Sequence, residues 1–151
     1  KLGFPPALRW KIIKATSRDN ARTPMQWNSG PNAGFSSGTP WLGINQNYTR
    51  INVESQLQDP NSIRSMYKTM IALRASSPIL KRGSFEAVHI SKHLFVYRRS
   101  LNGESLLILL NFFQRERKAV YKGCVVLSNY DRTTYDGMLR PYEAIILRQE
   151  A

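Results

Sequence analysis

The residues that could carry catalytic chemistry in this 151-residue chain are its ten carboxylic acids. Two carboxyl groups held across one bond can act as general acid and as nucleophile or base, the chemistry that hydrolyses glycosides. Several of these acids have a local structural explanation instead: Asp59 suits a helix N-cap, and Asp136 precedes a turn glycine. The acids are Asp19, Glu54, Asp59, Glu86, Glu104, Glu116, Asp131, Asp136, Glu143 and Glu150. No two of them lie in a motif that would place them across one bond, so the sequence predicts no catalytic residue here.

Motifs for other chemistries are missing from the sequence. It contains no G-x-S-x-G, no P-loop, no Rossmann glycine pattern and no H-E-x-x-H. Cys124 is the single cysteine, which excludes an internal disulfide and a cysteine-based zinc site. Because Val125 and Val126 follow it, we predict an inert thiol in the core. We expect no metal and no cofactor.

The charge of the chain is strongly basic, with 22 Lys and Arg against 10 Asp and Glu, a net charge of +12. Such an excess often indicates a nucleic acid or an anionic surface as partner. The basic residues are scattered, however, and no nucleic-acid motif or basic helix with interleaved aromatics is present. We therefore expect no nucleic-acid partner. The alternative explanation is that an acidic neighbouring region is absent from this chain.

The elements that would position any site differ along the chain. The pattern from Pro5 to Thr16 predicts a short basic helix, and Asp59 with Pro60 predicts the start of a second helix that ends before Pro78. Between them, residues 17–59 are rich in Gly, Asn and Ser and show no sustained periodicity. A long loop of this kind usually lies on a larger scaffold, often around a binding site.

After Leu80 the pattern changes to short strands. The candidates are residues 83–89, 94–99, 105–111, 115–121, 124–129 and 143–148, and Asn102-Gly103 is a strong hairpin signal. Six strands at this spacing predict an antiparallel β-sandwich. The longest apolar run, Leu106 to Leu110, is far too short to span a bilayer, so we expect no membrane partner.

One segment is highly specific. Residues 17–27 read S-R-D-N-A-R-T-P-M-Q-W. This run resembles the hallmark segment near the end of the catalytic barrel in α-glucosidases of glycoside hydrolase family 13, of the oligo-1,6-glucosidase and trehalose-6-phosphate hydrolase type. The resemblance continues in A-G-F-S-S-G-T-P-W at residues 33–41, N-Q-N-Y-T-R-I-N-V at 45–53, S-N-Y at 128–130 and L-R-P-Y-E-A at 139–144. It covers nearly the whole chain after Pro6, in order and with the spacing intact.

The resemblance implies a mainly β fold: an antiparallel β-sandwich, domain C of the α-amylase family, preceded by a long loop and the last helix of a truncated TIM barrel. Residues 1–79 would be the C-terminal remnant of that (β/α) barrel, and residues 80–151 the sandwich. The family's catalytic Asp, Glu and Asp all lie upstream of the S-R-D-N segment. The resemblance therefore implies a C-terminal fragment of a retaining α-glucosidase that is inactive by itself.

Arg18 is the one substrate-binding residue that the resemblance assigns to this chain. In the family the matching arginine reaches the active-site pocket and pairs with a carboxylate there; its five fixed donors suit sugar hydroxyls. Trp27 and Trp41 are interpreted mainly as buried anchors of the loop, with stacking on sugar rings as the alternative.

The remaining expectations concern partners and location. The implied partners are small α-glucosides bound through the missing barrel, and the helix and loop could instead pair with a second copy of the fragment. A cytoplasmic location is expected, with a signal peptide ahead of Lys1 left open. A non-catalytic carbohydrate-binding or scaffolding sandwich is the alternative function. Preference among α-1,4, α-1,6, trehalose-6-phosphate and sucrose substrates depends on loops outside this chain.

Overall fold

A computed structural model describes residue 3 and residues 5–149 of the chain. The chain divides into two compact units, Lys1–Ser65 and Met66–Ala151. The domain boundary after residue 79 was placed by the resemblance to the family, and it stays a prediction. Glu150, one of the ten acids, lies outside the described residues. No helix in the described part is long and apolar enough to cross a membrane.

The first unit contains mostly short elements. Helix α1 is Pro6–Thr16, as predicted, with Pro5 at its N-cap and none of its residues buried. Three 3-10 turns follow, at Asp19–Ala21, Pro31–Gly34 and Gln46–Thr49, and then the short helix α2, Val53–Leu57. A capping box starts α2: the Asn52 side chain accepts a hydrogen bond from the Ser55 N–H at 2.8 Å. The long loop is thus irregular but ordered by local turns.

Helix α3 is Ile63–Ser76 and begins one turn later than predicted. Asp59 is not its N-cap, because the Asp59 carboxylate accepts a hydrogen bond from the Asn61 N–H at 2.8 Å and closes a turn. The Ser62 hydroxyl accepts from the Ser65 N–H at 3.2 Å and takes the capping role instead. The α3 helix ends before Pro78, as predicted, but Pro78 also starts a short helix that the sequence did not indicate.

That short helix is α4, Pro78–Arg82, and in the described residues seven strands follow it. Five of them form one antiparallel sheet in the order β1-β2-β3-β7-β5, and β4 and β6 form a two-stranded ribbon. The strands are β1 Ser84–Ile90, β2 Leu94–Leu101, β3 Glu104–Asn111, β4 Arg117–Lys118, β5 Cys124–Ser128, β6 Met138–Leu139 and β7 Ala144–Gln149. The β2–β3 hairpin turns at Asn102-Gly103, both with positive φ, as predicted. The strand predicted at residues 115–121 is reduced to two residues, because its partner β6 is equally short.

The core lies between the sheet and the ribbon, which makes the second unit a sandwich. Side chains alternate along each strand, so every second residue points to the same face. The inner face of the sheet packs on the ribbon through fully or almost fully buried side chains: Val96, Leu107, Leu109, Ile145 and Leu147 with Ala119 and Leu139. Each buried Leu or Ile stabilises the fold by roughly 1.5–3 kcal/mol. The predicted antiparallel sandwich is confirmed.

The outer face of the sheet is covered only in part. Ile79 of α4 packs there against Leu106 and Ile108 of β3. Cys124 lies at the start of edge strand β5 and is exposed, so the prediction of a core thiol is wrong. Apolar neighbours in sequence do not bury a residue at the end of an edge strand, where no further strand covers it.

Candidate functional site

Arg18 lies two residues after the end of α1 and caps the Asp19–Ala21 turn. Its backbone is in the right-handed helical region, and its carbonyl accepts a hydrogen bond from the Ala21 N–H at 3.0 Å. The Ser17 hydroxyl accepts from the Asp19 N–H at 3.2 Å, which holds the start of the turn. The Arg18 side chain is exposed, and within the described residues it forms no ion pair. It is therefore available to bind a partner.

The segment after Arg18 is anchored by Gln26. Its side-chain amide donates hydrogen bonds to the Asn47 side chain, at 3.0 Å, and to the Ile51 carbonyl. The Val53 N–H donates to the Gln26 carbonyl at 2.9 Å. Gln26 thereby joins the first part of the loop to residues 47–53, more than twenty positions further along the chain. Sequence patterns did not single out Gln26, because its partners are distant in the chain.

The backbone of the loop is strained at its first bend. Asn32, Ala33 and Gly34 all have positive φ, and Ala33 is fully buried. The Ala33 carbonyl accepts hydrogen bonds from the N–H groups of Trp27, at 2.9 Å, and Asn28, at 3.2 Å. A non-glycine residue in this region is uncommon and persists only where surrounding contacts impose it. These contacts hold Trp27 at one fixed place in the loop.

The tryptophans of the loop do not act as buried anchors in this chain. Trp41 is 81% exposed, so its interpretation as a buried anchor is wrong. Trp27 is 49% exposed and is therefore not buried either. Trp41 belongs to neither of the two buried hydrophobic clusters found in the described residues, so its indole ring lies outside both cores. A cavity of about 250 Å³ in the same unit does not include Trp41 and is lined by Thr23, Pro24, Met25, Gln26, Ile51, Asn52, Val53 and Gln56.

The structure brings two of the candidate acids together, and it does so in the sandwich. Asp136 and Glu143 both accept hydrogen bonds from Arg132. Glu143 is also bonded to the Arg140 N–H, at 2.7 Å, and to the Ser128 hydroxyl, at 3.1 Å. The Met138 N–H and the Arg132 guanidinium hold the pKa of Asp136 below its ordinary value of 3.8. Both carboxylates are thus occupied by structural bonds.

In the part of the chain that the structure describes, no group of three or more His, Cys, Asp or Glu is arranged to hold a metal ion. The candidate site of this chain is Arg18 with the ordered loop that follows it.

Comparison with known proteins places this element in context. Residues 7–83 match the family described as alpha amylase, catalytic domain. The probable oligo-1,6-glucosidase 2 of Bacillus subtilis (strain 168) is 44% identical over 154 residues, covering 94% of this chain and 27% of that protein. The trehalose-6-phosphate hydrolase of Escherichia coli (strain K12) is 40% identical over 144 residues, covering 89% of this chain and 26% of that protein.

Solved structures agree with the sequence matches. A mutant of the Bacillus licheniformis trehalose-6-phosphate hydrolase superposes with a TM-score of 0.87 at 35% identity, over 97% of this chain and 29% of that one. The isomaltulose synthase from Klebsiella sp. LX3 superposes with a TM-score of 0.86 at 30% identity, over 96% of this chain and 28% of that one. The chain thus spans little more than a quarter of the length of the proteins it matches.

Proposed function

This chain belongs to the α-amylase family of glycoside hydrolases, family 13, and we propose that it is the C-terminal quarter of an α-glucosidase. The observation that carries the proposal is the 44% identity to an oligo-1,6-glucosidase over 94% of this chain. The substrates of the whole protein would be short α-linked gluco-oligosaccharides, taken up through the barrel.

The reaction we propose for the whole protein is retaining hydrolysis. One carboxylate attacks the anomeric carbon while a carboxylic acid protonates the leaving oxygen, and water then hydrolyses the glycosyl-enzyme with that second group as base. The two groups would come from the upstream part of the barrel. This chain would contribute Arg18, a permanently charged fork of donors, to the sugar-binding pocket.

The chain by itself would then be inactive. Among the described residues, Asp136 and Glu143 both pair with Arg132, and Glu143 is buried. A carboxylate held in this way is not free to attack a sugar or to exchange a proton with one.

Activity measurements on two proteins test this proposal. The first is the purified chain, and the second is a chimera in which the upstream part of the Bacillus subtilis relative is joined to it. With p-nitrophenyl α-glucoside and isomaltose, we expect turnover by the chimera and none by the chain. Turnover by the repurified chain, or a folded chimera that cleaves neither compound, would contradict it.

Location and partners follow from the same proposal. We propose a cytoplasmic enzyme of short α-glucosides that has no nucleic-acid or membrane partner. The scattered positions of the basic residues support this, because recognition of a polyanion needs a clustered basic surface.

A further inference from the structure

The turn between β2 and β3 contains a chemically reactive pair of residues, Asn102 and Gly103. It is the one Asn-Gly pair in the sequence. The backbone nitrogen of the residue after an asparagine can attack the side-chain amide carbon and close a five-membered succinimide ring. Glycine favours this attack, because it has no Cβ to hinder the approach of its own nitrogen. The sequence therefore places the chemistry of deamidation at this turn.

Both reacting groups of the pair are unprotected in the structure. Asn102 and Gly103 are exposed. Within the described residues, neither the Asn102 side-chain amide nor the Gly103 N–H forms a hydrogen bond. A methyl group at Gly103 would meet no atom within 4 Å, so no neighbour crowds the space in which the ring forms. Water reaches the amide freely, and no contact has to break before the nitrogen attacks.

Two other asparagines are better protected from the same reaction. Asn61 is exposed, but the nitrogen after it belongs to Ser62, which is buried and donates its N–H to the Asp59 carbonyl at 3.2 Å. The Asn28 side chain accepts a hydrogen bond from the Gly30 N–H at 3.0 Å, which holds its amide in place. Asn61 and Asn28 are therefore internal controls for the reactivity of Asn102.

We propose that Asn102 is a site of spontaneous modification, at which deamidation converts it to aspartate and isoaspartate. A bond forms between the Asn102 Cγ and the Gly103 nitrogen, and the bond from Cγ to the side-chain nitrogen breaks. That nitrogen leaves as ammonia and carries away the proton of the Gly103 N–H. Water then adds to one of the two ring carbonyls and opens the ring. One water is consumed and one ammonia is released, so the reaction needs no other reactant.

The two products differ in their effect on the hairpin. Aspartate keeps the original backbone, and Asp-Gly also suits a two-residue turn with positive φ. Isoaspartate carries the main chain through its side chain, which adds one methylene group to the turn. The pairing of Leu101 with Glu104 closes this turn. A longer turn disturbs that register, because register in a hairpin is fixed by the length of its loop.

A disturbed hairpin reaches the core of the sandwich. Strands β2 and β3 are neighbours within the five-stranded sheet, and they supply Val96, Leu107 and Leu109 to the core. Isoaspartate at position 102 should therefore lower the stability of the second unit, whereas aspartate should leave it almost unchanged. This inference does not depend on the proposed function, because it uses only the chemistry of the turn.

Ageing of the purified chain in mildly alkaline buffer tests the proposal. Mass spectrometry of peptides gives the deamidated fraction at each asparagine with time and separates aspartate from isoaspartate. Circular dichroism checks that the chain stays folded and measures its melting temperature. Asn102→Gly is the matched variant, because Gly-Gly also adopts the positive φ of this turn and has no side-chain amide. Asn102→Asp represents the product that keeps the backbone.

We expect Asn102 to deamidate about tenfold or more faster than Asn61 and Asn28 in the folded chain. The melting temperature of the aged chain should fall as its isoaspartate fraction rises. It should stay constant in the equally aged Asn102→Gly variant, and fresh Asn102→Asp should melt close to the unmodified chain.

Equal deamidation rates at the three asparagines would overturn the proposal. These rates come from the unmodified chain, so they decide the matter even where a variant does not fold. An aged Asn102→Gly variant that loses as much stability as the aged unmodified chain would also contradict it, because the loss would then arise elsewhere.

Discussion

Arg132 donates hydrogen bonds from its Nη1 to both carboxylate oxygens of Glu143, at 3.3 and 3.2 Å, and the Glu143 side chain is fully buried. Arg132 also donates to the carbonyls of Thr134 and Met138, at 2.8 and 3.2 Å. One buried ion pair thus joins the segment before β6 to the residue that precedes β7. A charged pair in the interior is tolerated only when its other polar atoms are also bonded, and here they are.

Glu143→Gln should lower the unfolding free energy of the chain by about 3 kcal/mol, because it removes the buried one of the two carboxylates that pair with Arg132 and leaves only the exposed Asp136 as counter-ion. Urea unfolding followed by circular dichroism measures the change. A variant that does not fold shows that the loss is at least as large as the stability of the unmodified chain. The matched control is Glu86→Gln, which breaks the exposed pair of Glu86 with Arg98. That pair should contribute less than about 1 kcal/mol. Equal losses in the two variants would contradict the role of the buried pair.

Acid should destabilise the chain partly through Asp136. The N–H of Met138 and the Arg132 guanidinium hold the pKa of Asp136 below 3.8, so the folded state binds its proton less readily than the unfolded state. The stability that this carboxylate contributes is therefore complete above the unfolded value and is lost as the pH falls through the folded value.

Asp136→Asn removes that titration. From about pH 7 to about pH 3, its melting temperature should fall less than that of the unmodified chain. Asp131→Asn, an exposed neighbouring acid, is the control and should behave like the unmodified chain. An identical pH dependence for Asp136→Asn and the unmodified chain would show that Asp136 titrates normally.

Gly83→Ala should destabilise the junction between α4 and β1 by about 1–3 kcal/mol. A methyl group at this position would lie 2.5 Å from the Ile79 carbonyl oxygen and 2.9 Å from that of Ser100, and neither backbone atom can move without disturbing an element. Gly43→Ala meets nothing within 4 Å and is the control. Thermal unfolding of both variants measures the difference; a Gly83→Ala variant as stable as Gly43→Ala would refute the close approach.

Arg18→Gln should lower kcat/KM of the active chimera by about 10–100-fold, because hydrogen bonds to a charged group contribute roughly 1.5–3 kcal/mol. The stability of the isolated chain should not change, since the Arg18 side chain is exposed. Arg22→Gln, an exposed arginine at the end of the same 3-10 turn, serves as the control. Equal losses of kcat/KM in both variants would show that Arg18 does not bind the substrate.

Several features of this chain are determined by short stretches of sequence. The α1 helix follows from Pro5 and Pro6 and the residues after them, because the first turn of a helix tolerates proline. The β2–β3 turn follows from Asn102-Gly103, because these residues adopt positive φ at little cost. The family follows from the ordered segments that begin at Ser17. Each depends on neighbours in the chain or on a pattern of residues, so no long-range contact needed to be known.

Other features were decided only by tertiary structure. The Asp59 carboxylate accepts a hydrogen bond from the Asn61 N–H and closes a turn. Ser62 therefore caps α3 in its place. Cys124 is exposed because β5 lies at the sheet edge, and strand order cannot be read from apolar neighbours. The bond between Arg132 and Glu143 depends on how the segment before β6 folds against the residue before β7. The exposure of Phe85 depends on the pairing of β1 with β2. Burial and charge pairing are properties of surfaces that meet in space, and the sequence does not state which surfaces meet.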